Sequence, residues 1–175
     1  MGGTLSAPTI LGVLQGCTAK PTIDWQPSFF TKEQGILITQ VSGIIIPKTD
    51  TEGAIEVGVP GFIDQMLKET YKPEDQKKFL EGLDEFAAAA ESKYGDPFIE
   101  LDPEQQAEWV MAQHEMAITN KEASEYSFIL KLKELTMVGY FTSEEGATRV
   151  LQYDPVPGAY HGCLPFEEVG KTWAT

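Results

Sequence analysis

The sequence is poor in the positively charged side chains that bind nucleic acid. Thirteen Lys and Arg residues stand against 27 Asp and Glu residues in the 175-residue chain, so its net charge is −14. Binding to a phosphate backbone needs clustered Lys and Arg, which excludes nucleic acid as a partner. The same charge opposes adhesion to anionic lipid and suits a partner protein with a basic face.

Cysteine and histidine are also scarce, with two residues of each. Cys17 and Cys163 are too few for a disulfide scaffold or for a zinc or iron–sulfur site built by this chain alone. His114 and His161 lie far apart, and the His114–Glu115 pair has no second histidine four residues away, as a zincin would. We interpret that pair as solvated helix surface, and His161 with Cys163 as too few donors for a metal.

Cofactor motifs are missing as well. No Gly-x-Gly-x-x-Gly follows a strand pattern, and no Cys-x-x-Cys-His is present. Acidic residues concentrate between Glu74 and Glu108, but they are spread over predicted helix surfaces without an apolar pocket that would separate their pKa values. We therefore expect no catalytic, cofactor-binding or metal-binding residue in this chain, and we interpret the acidic stretch as a solvated docking face.

Residues 1–17 resemble an export signal more than part of a domain. They carry no charged side chain, and their apolar stretch has about the length of a signal-peptide core, too short to span a bilayer. The positive segment that should precede such a core is missing. Two interpretations stay open: Met1 is internal to a longer reading frame, or the stretch is an apolar arm. We favour the first.

Cys17 ends this apolar stretch in the pattern Leu14-Gln15-Gly16-Cys17. The pattern resembles a bacterial lipobox, in which a peptidase cuts before the cysteine and the cysteine receives the lipid. Residues 18–30 follow with Pro21 and Pro27, and their composition predicts a tether. We expect a lipidated Cys17 to anchor the folded part of the chain to a membrane.

The remaining residues, 31–175, predict a single all-α domain. The expected architecture is an irregular helical bundle with a long Pro- and Gly-rich C-terminal tail. Helix-start signals occur at four places: Thr31, Pro73, Asp102 and Thr142. Capping boxes mark the first and last of these, and a proline at the first helical position marks the other two. A further helix is predicted around Phe62, after a loop that runs from Lys48 to Pro60.

The segment 124–138 differs from the other predicted helices. Its apolar residues surround the helix almost completely, which indicates a position in the middle of the bundle. Gly139 is expected to end it. Beyond Gln152 the prolines and glycines exclude further regular helix.

Two stretches resemble a known family. The first reads IIIPKTDTEGA from residue 44 and GVPGFID from residue 58. The second reads LKELTMVGYFTSEEGA from residue 132 and LQYDPVPGAYHGCLP from residue 151. Both closely resemble the gluconate 2-dehydrogenase subunit 3 family, and the resemblance extends from about Thr31 to Phe166.

The resemblance implies a non-catalytic role. Members of this family look like small subunits that accompany a large flavin-containing subunit of the glucose–methanol–choline oxidoreductase type, which holds FAD and oxidises a sugar, sugar acid or polyol. A multihaem cytochrome subunit with haem c is often a third component. The small subunit typically carries a twin-arginine export signal that both subunits use. The chain departs from this pattern because no Arg-Arg precedes its apolar start.

Aromatic residues near the proline-rich tail are candidates for contact with that partner. Tyr and Phe bury a large area at low entropic cost, as protein interfaces require. The interface candidates are Tyr140, Phe141, Tyr153, Asp154, Pro155 and Tyr160. The alternative is that these side chains only fix the tail to the bundle of their own chain.

Cys163 would be left without an intramolecular partner once Cys17 carries a lipid. In an oxidising periplasm such a cysteine is either buried or bridged to another chain. We favour a disulfide with the large subunit. Two other functions stay open: a free-standing periplasmic lipoprotein that binds a small ligand, and an enzyme in its own right.

The predicted modification of Cys17 can be tested on the mature protein. Mass spectrometry should find Cys17 as the first residue, with a mass increased by two or three acyl chains, because a single chain anchors only weakly. The reading frame should also continue upstream of Met1 and encode Arg-Arg. An unmodified N-terminus at another residue would contradict the assignment.

Overall fold

The computed structural model describes residues 22–120, 127–156, 158–159 and 162–174. These residues form six α-helices: α1 (Lys32–Ile45), α2 (Val59–Thr70), α3 (Pro73–Tyr94), α4 (Pro103–Thr119), α5 (Phe128–Phe141) and α6 (Phe166–Val169). A 3₁₀ turn at Phe98–Glu100 and a π-helical turn at Gly146–Val150 complete them. The predicted all-α class is confirmed. Cys17, Tyr160 and His161 lie outside the described residues.

The first four helices begin where local chemistry predicts. Thr31 caps α1 in a complete capping box with Gln34, and Asp102 caps α4 in the same way with Gln105. These side chains satisfy amide groups that have no partner inside the helix. α2 begins after Gly58, whose φ of 80° lies in the left-handed region. The sharp entry into α2 therefore depends on a glycine.

Helix α5 is the element around which the bundle packs. It contacts α1, α2, α3 and α4. Leu132 and Leu135 are almost fully buried on its inner side, and Phe128 stacks edge-on against Phe79 of α3 with ring centroids 5.1 Å apart. Buried Ser42 and Thr136 face each other across α1 and α5, with their hydroxyl oxygens 3.5 Å apart. The predicted central position of this helix is confirmed. Its inner side is buried, but its outer side is not.

Two local predictions are wrong, and a third, the short helix that starts at Thr142, is right about a helix but not about its type. Gly139 does not end α5, which continues to Phe141. A Cβ at Gly139 would lie 2.7 Å from Cδ1 of Phe62, so this glycine lets α2 approach α5 closely. The start predicted at Thr142 leads into a π-helical turn, and beyond Gln152 the residues Phe166–Val169 do form one helical turn.

A buried carboxylate fixes the segment that enters α1. Asp64 of α2 is 2% exposed and accepts four hydrogen bonds from this segment. The donors are the Ser28 backbone N–H at 2.8 Å, the Ser28 hydroxyl at 2.7 Å, and the N–H groups of Phe29 and Phe30 at 3.0 Å each. These bonds compensate the carboxylate for its lost hydration and tie the start of the domain to α2.

The chain before Ser28 also packs against α1. Side-chain atoms of Pro27 and Ile23 lie 2.9 and 3.1 Å from the position that a Cβ on Gly35 would take. The Trp25 indole N–H donates to the Thr39 hydroxyl at 3.3 Å. The tether predicted for residues 18–30 is therefore wrong for residues 22–30, because their apolar side chains bury surface against the bundle.

Burial and hydrogen bonding act in opposite directions on Asp64. Burial alone would raise the pKa of its carboxyl group, because desolvation disfavours the charge. The hydrogen bonds from Phe30, Ser28 and Phe29 outweigh that effect, so the pKa of Asp64 lies below its ordinary value. The ionised form of Asp64 thus stabilises the folded chain at neutral pH.

Replacing this carboxylate should destabilise the whole domain. We expect Asp64→Asn to lower the free energy of unfolding by about 2–4 kcal/mol, because the amide leaves buried N–H groups without a full set of acceptors. Because the folded pKa is lowered, the contribution is complete above the ordinary Asp pKa of about 3.9 and disappears as the pH falls through the folded value.

Urea unfolding of both proteins at several pH values measures this difference. The gap between wild type and Asp64→Asn should be widest near neutral pH and should narrow on acidification. Asp96→Asn, at an exposed position after α3, is the matched control and should change stability little. A gap that is independent of pH would show that the charge of Asp64 is not what stabilises the fold.

Candidate functional site

Tyr140 joins the two sequence stretches that carry the resemblance. Its side chain is 3% exposed at the C-terminal end of α5, and its hydroxyl donates a hydrogen bond of 2.7 Å to the backbone carbonyl of Glu52. The Thr51 hydroxyl oxygen lies 3.4 Å from the Tyr140 hydroxyl oxygen. The Glu52 N–H in turn donates to the Glu145 carboxylate at 3.4 Å. Residues far apart in sequence thereby form one junction.

The 46–58 loop between α1 and α2 is closed tightly on itself at this junction. The Ala54 N–H donates to the Ile46 carbonyl at 2.9 Å, and the Gly53 N–H donates to the Glu56 carboxylate at 3.0 Å. A Cβ on Gly53 would lie 2.8 Å from the carbonyl carbon of Pro47. Only glycine fits there, so the loop presents a fixed backbone to Tyr140.

The turn after α5 is equally tight. The Ser143 hydroxyl donates to the Tyr140 carbonyl at 2.6 Å and accepts from the Gly146 N–H at 3.1 Å. A Cβ on Gly146 would collide with the Tyr140 carbonyl oxygen. This packing explains the π-helical turn that replaces the predicted α-helix, and it fixes the direction in which the tail leaves the bundle.

Residues 152–173, which we call the C-terminal loop, are closed at their base. The Gln152 N–H donates to the Thr172 carbonyl at 2.8 Å, and the Ala174 N–H donates to the Gln152 carbonyl at 2.8 Å. The Lys171 ammonium group adds a 2.8 Å bond to the Arg149 carbonyl. The two ends of the tail therefore meet, and a bond to Arg149 ties this base to the turn after α5.

The C-terminal loop exposes large apolar side chains. Exposed fractions range from 46% for Trp173 to 80% for Val156. The full set is Tyr153, Val156, Leu164, Phe166 and Trp173. Sequence reasoning found Tyr153 and missed the other four, because no helix or strand period organises them. Grouped exposed apolar residues of this kind are typical of a protein interaction surface.

The predicted interface candidates differ in how far they are exposed. Tyr140 is buried in its own chain, so its placement on a surface was wrong: it fixes the 46–58 loop instead. Phe141 is half-buried and packs edge-on against Tyr140, with centroids 5.3 Å apart. Asp154 accepts from the Val156 N–H at 3.0 Å and shapes the C-terminal loop. Tyr153 and Pro155 are exposed there and stay candidates.

Cys163 also lies in the C-terminal loop. Its thiol is free and its side chain exposed. Its φ of 60° is rare for a residue other than glycine. The exposed thiol belongs to the same loop as the exposed aromatic residues.

The two remaining polar candidates lie on α4. The His114 Nε2 atom is 3.0 Å from the Lys133 ammonium group of α5, and Glu115 is exposed. Within the described parts of the chain, no three His, Cys, Asp or Glu side chains are grouped so that they could hold a metal ion. No helix in those same parts combines the length and the apolar character needed to cross a bilayer.

A family model described as gluconate 2-dehydrogenase subunit 3 matches residues 32–158. The chain belongs to this family. A search of curated proteins and a search of solved structures found no match. The region shared with the gluconate 2-dehydrogenase subunit 3 family begins at the first residue of α1 and includes the Tyr140 junction and Tyr153. Cys163, Phe166 and Trp173 lie beyond the matched residues.

The internal role of Tyr140 predicts a stability effect. Tyr140→Phe should lower the free energy of unfolding by about 1–2 kcal/mol, because it removes the hydrogen bond to the Glu52 carbonyl and leaves the ring in place. Tyr153→Phe removes the same atom from an exposed ring and should change stability by less than about 0.5 kcal/mol. Thermal and urea unfolding of the two variants measure the contrast. Equal effects would refute the assigned role.

Proposed function

We propose that the chain is the non-catalytic small subunit of a periplasmic, FAD-dependent dehydrogenase that acts on a sugar, sugar acid or polyol. In this proposal the chain binds the large flavin-containing subunit and assists its folding, maturation and export. FAD belongs to the large subunit, and haem c belongs to a cytochrome subunit where the complex has one. A lipid on Cys17 anchors the complex to the membrane.

The observation that supports this proposal most is the C-terminal loop. Five large apolar side chains are exposed on a loop whose base is closed by backbone hydrogen bonds, in a member of a family described as a dehydrogenase subunit. Exposing such side chains to water is unfavourable, and covering them with a partner recovers that free energy. Closing the base of the loop reduces the conformational entropy that the loop would lose on binding.

Charge and the free thiol fit the same role. The net charge of −14 favours a partner that presents basic residues, since opposite charges accelerate and orient encounter. The exposed Cys163 thiol lies in the same loop as Tyr153 and Phe166. A partner docked on this loop would face that thiol, and we propose an intersubunit disulfide there.

Assistance in folding follows from mass action. A partner that binds only the folded flavoprotein stabilises it by about 2.7 kcal/mol when present at a hundred times its dissociation constant. This is a large share of the stability of a typical domain. A free-standing ligand-binding lipoprotein is the alternative, but it gives no reason for the exposed apolar side chains of the C-terminal loop.

Expression of the large subunit alone should therefore give little soluble, flavin-loaded enzyme, and co-expression with this chain should restore it. His114→Ala, Glu115→Ala and Glu134→Ala should leave the turnover number per flavin nearly intact. Tyr153→Ala should instead lower the yield of complex, because it removes an exposed aromatic contact. Flavin absorbance, yield and turnover per flavin are the measurements.

Two outcomes would contradict the proposal. One is a histidine or carboxylate variant that abolishes turnover while assembly and flavin content stay normal. The other is a large subunit that is fully soluble and active without this chain.

The proposed intersubunit disulfide can be tested on a non-reducing gel. The native complex should run as one band that reductant splits into two, and Cys163→Ser should remove that band.

A further inference from the structure

A groove of about 380 Å³ opens between α1 and α3. Leu37 of α1, Leu83 of α3 and Phe98 of the 3₁₀ turn line it with buried apolar side chains. On the α3 wall, Ala87 and Ala88 carry only a methyl group each. The groove therefore offers an apolar surface with room for the aliphatic part of a long side chain.

Three carboxylates line the same groove: Glu33 of α1, and Asp84 and Glu91 of α3. All three residues are exposed, and within the part of the chain that the structure describes none of them forms an ion pair. No described Lys or Arg lines the groove either. The negative charge is thus a local property of this surface, and it attracts a cation.

The carboxylates are spaced along the groove. Asp84 and Glu91 are seven residues apart, so they lie on one side of α3 with about 10 Å between their levels on the helix axis. Ala87 and Ala88 lie between them on that side, and Glu33 belongs to the opposite wall. This arrangement matches two cationic groups about 10 Å apart that are joined by an apolar chain.

The α1 wall adds hydrogen-bond acceptors. The Gln34 amide N–H already donates to the Asp84 carboxylate at 3.3 Å. Gln40, one turn beyond Leu37, donates from Nε2 at 3.2 Å to the carbonyl of Ile99, a residue that lines the groove. The Oε1 atom of Gln40 is buried and has no hydrogen-bond partner among the described residues. An excess of oxygen acceptors suits arginine, whose side chain carries five N–H donors, no acceptor and an apolar stem.

We propose that this α1–α3 groove, defined by Glu33, Leu37, Asp84, Ala88 and Glu91, binds a basic segment of the large flavin-containing subunit. The segment carries two Arg or Lys side chains, one directed to Asp84 and one to Glu91, and its carbon chain covers the alanines between them. The inference rests on the proposed function and gives the basic face of the partner a specific place to bind. A small cation would neutralise the carboxylates but leave the apolar lining uncovered, which favours a protein segment.

Site-specific photo-crosslinking in the intact complex tests the inference. A photoreactive phenylalanine analogue replaces Ala88 in the full chain, produced together with the large subunit. The control position is Glu69, which is exposed near the end of α2 and outside the groove. We expect a crosslink to the large subunit from position 88 and none from position 69. Digestion with chymotrypsin, which does not cut at Lys or Arg, should yield a crosslinked segment that contains at least two of these residues.

The outcomes separate the two proposals. An assembled complex without a crosslink from position 88 overturns the groove and leaves the proposed function standing. A crosslink from position 88 to a second copy of the chain, or to a segment without basic residues, overturns it as well. Failure of the unmodified chain to form any complex with the flavoprotein overturns both.

Charge reversal provides a second measurement. Glu91→Lys should weaken binding of the large subunit about fivefold, because it replaces an attraction with a repulsion at one end of the groove. Glu69→Lys makes the same change of charge in the last turn of α2 and should alter affinity less than about twofold. The difference should shrink at about 0.5 M salt, which screens exposed charges. The melting temperature of each isolated variant should stay near that of wild type. Equal weakening by both variants would indicate a general charge effect and refute the inference.

Discussion

The hydrogen bond from Tyr140 to the Glu52 carbonyl is the contact on which the functional end of the molecule depends. It closes the 46–58 loop onto the last turn of α5. It also holds the point from which the π-helical turn and the C-terminal loop depart, because Ser143 and Gly146 bond or pack against the same residue. The two motif stretches therefore form one structural unit. Its close packing requires glycine at positions 53 and 146, where a Cβ atom would clash with the neighbouring backbone.

The apolar side chains fall into two groups, one that stabilises the fold and one that we assign to binding a partner. The inner side of α5, with Phe79, Phe86 and Leu83 of α3, supplies the core of the bundle. A second group stays exposed in the C-terminal loop. The bundle is complete without this second group, which is why we assign it to a partner. The net charge of −14 opposes self-association of the chain.

Local chemistry predicted the fold well, and distant contacts explain what it missed. The helix starts at Thr31, Pro73 and Asp102 depend on side chains within four residues, so the sequence contains the whole signal. Gly139 resembles a helix stop until Phe62 is found against it, across more than seventy residues of chain.

The candidate site shows the same limit. Tyr140 was predicted to contact a partner protein, but it is buried in its own chain, and its hydrogen bond goes to a backbone carbonyl that carries no sequence pattern. The resemblance led to the family, whereas the exposed residues Phe166 and Trp173 carry no periodicity and became visible only in the structure.

The hydrogen bonds that Asp64 accepts from residues 28–30 limit how far the domain can move from the proposed lipid on Cys17. Since Ile23, Trp25 and Pro27 already pack on α1, only five Cα-to-Cα steps separate residue 17 from residue 22. Fully extended, they span at most about 18 Å. With the proposed lipid on Cys17, so short a connection would keep the domain beside the lipid headgroups, and its net charge of −14 would be repelled by anionic lipid. The membrane would thereby restrict the orientations that the whole complex can adopt.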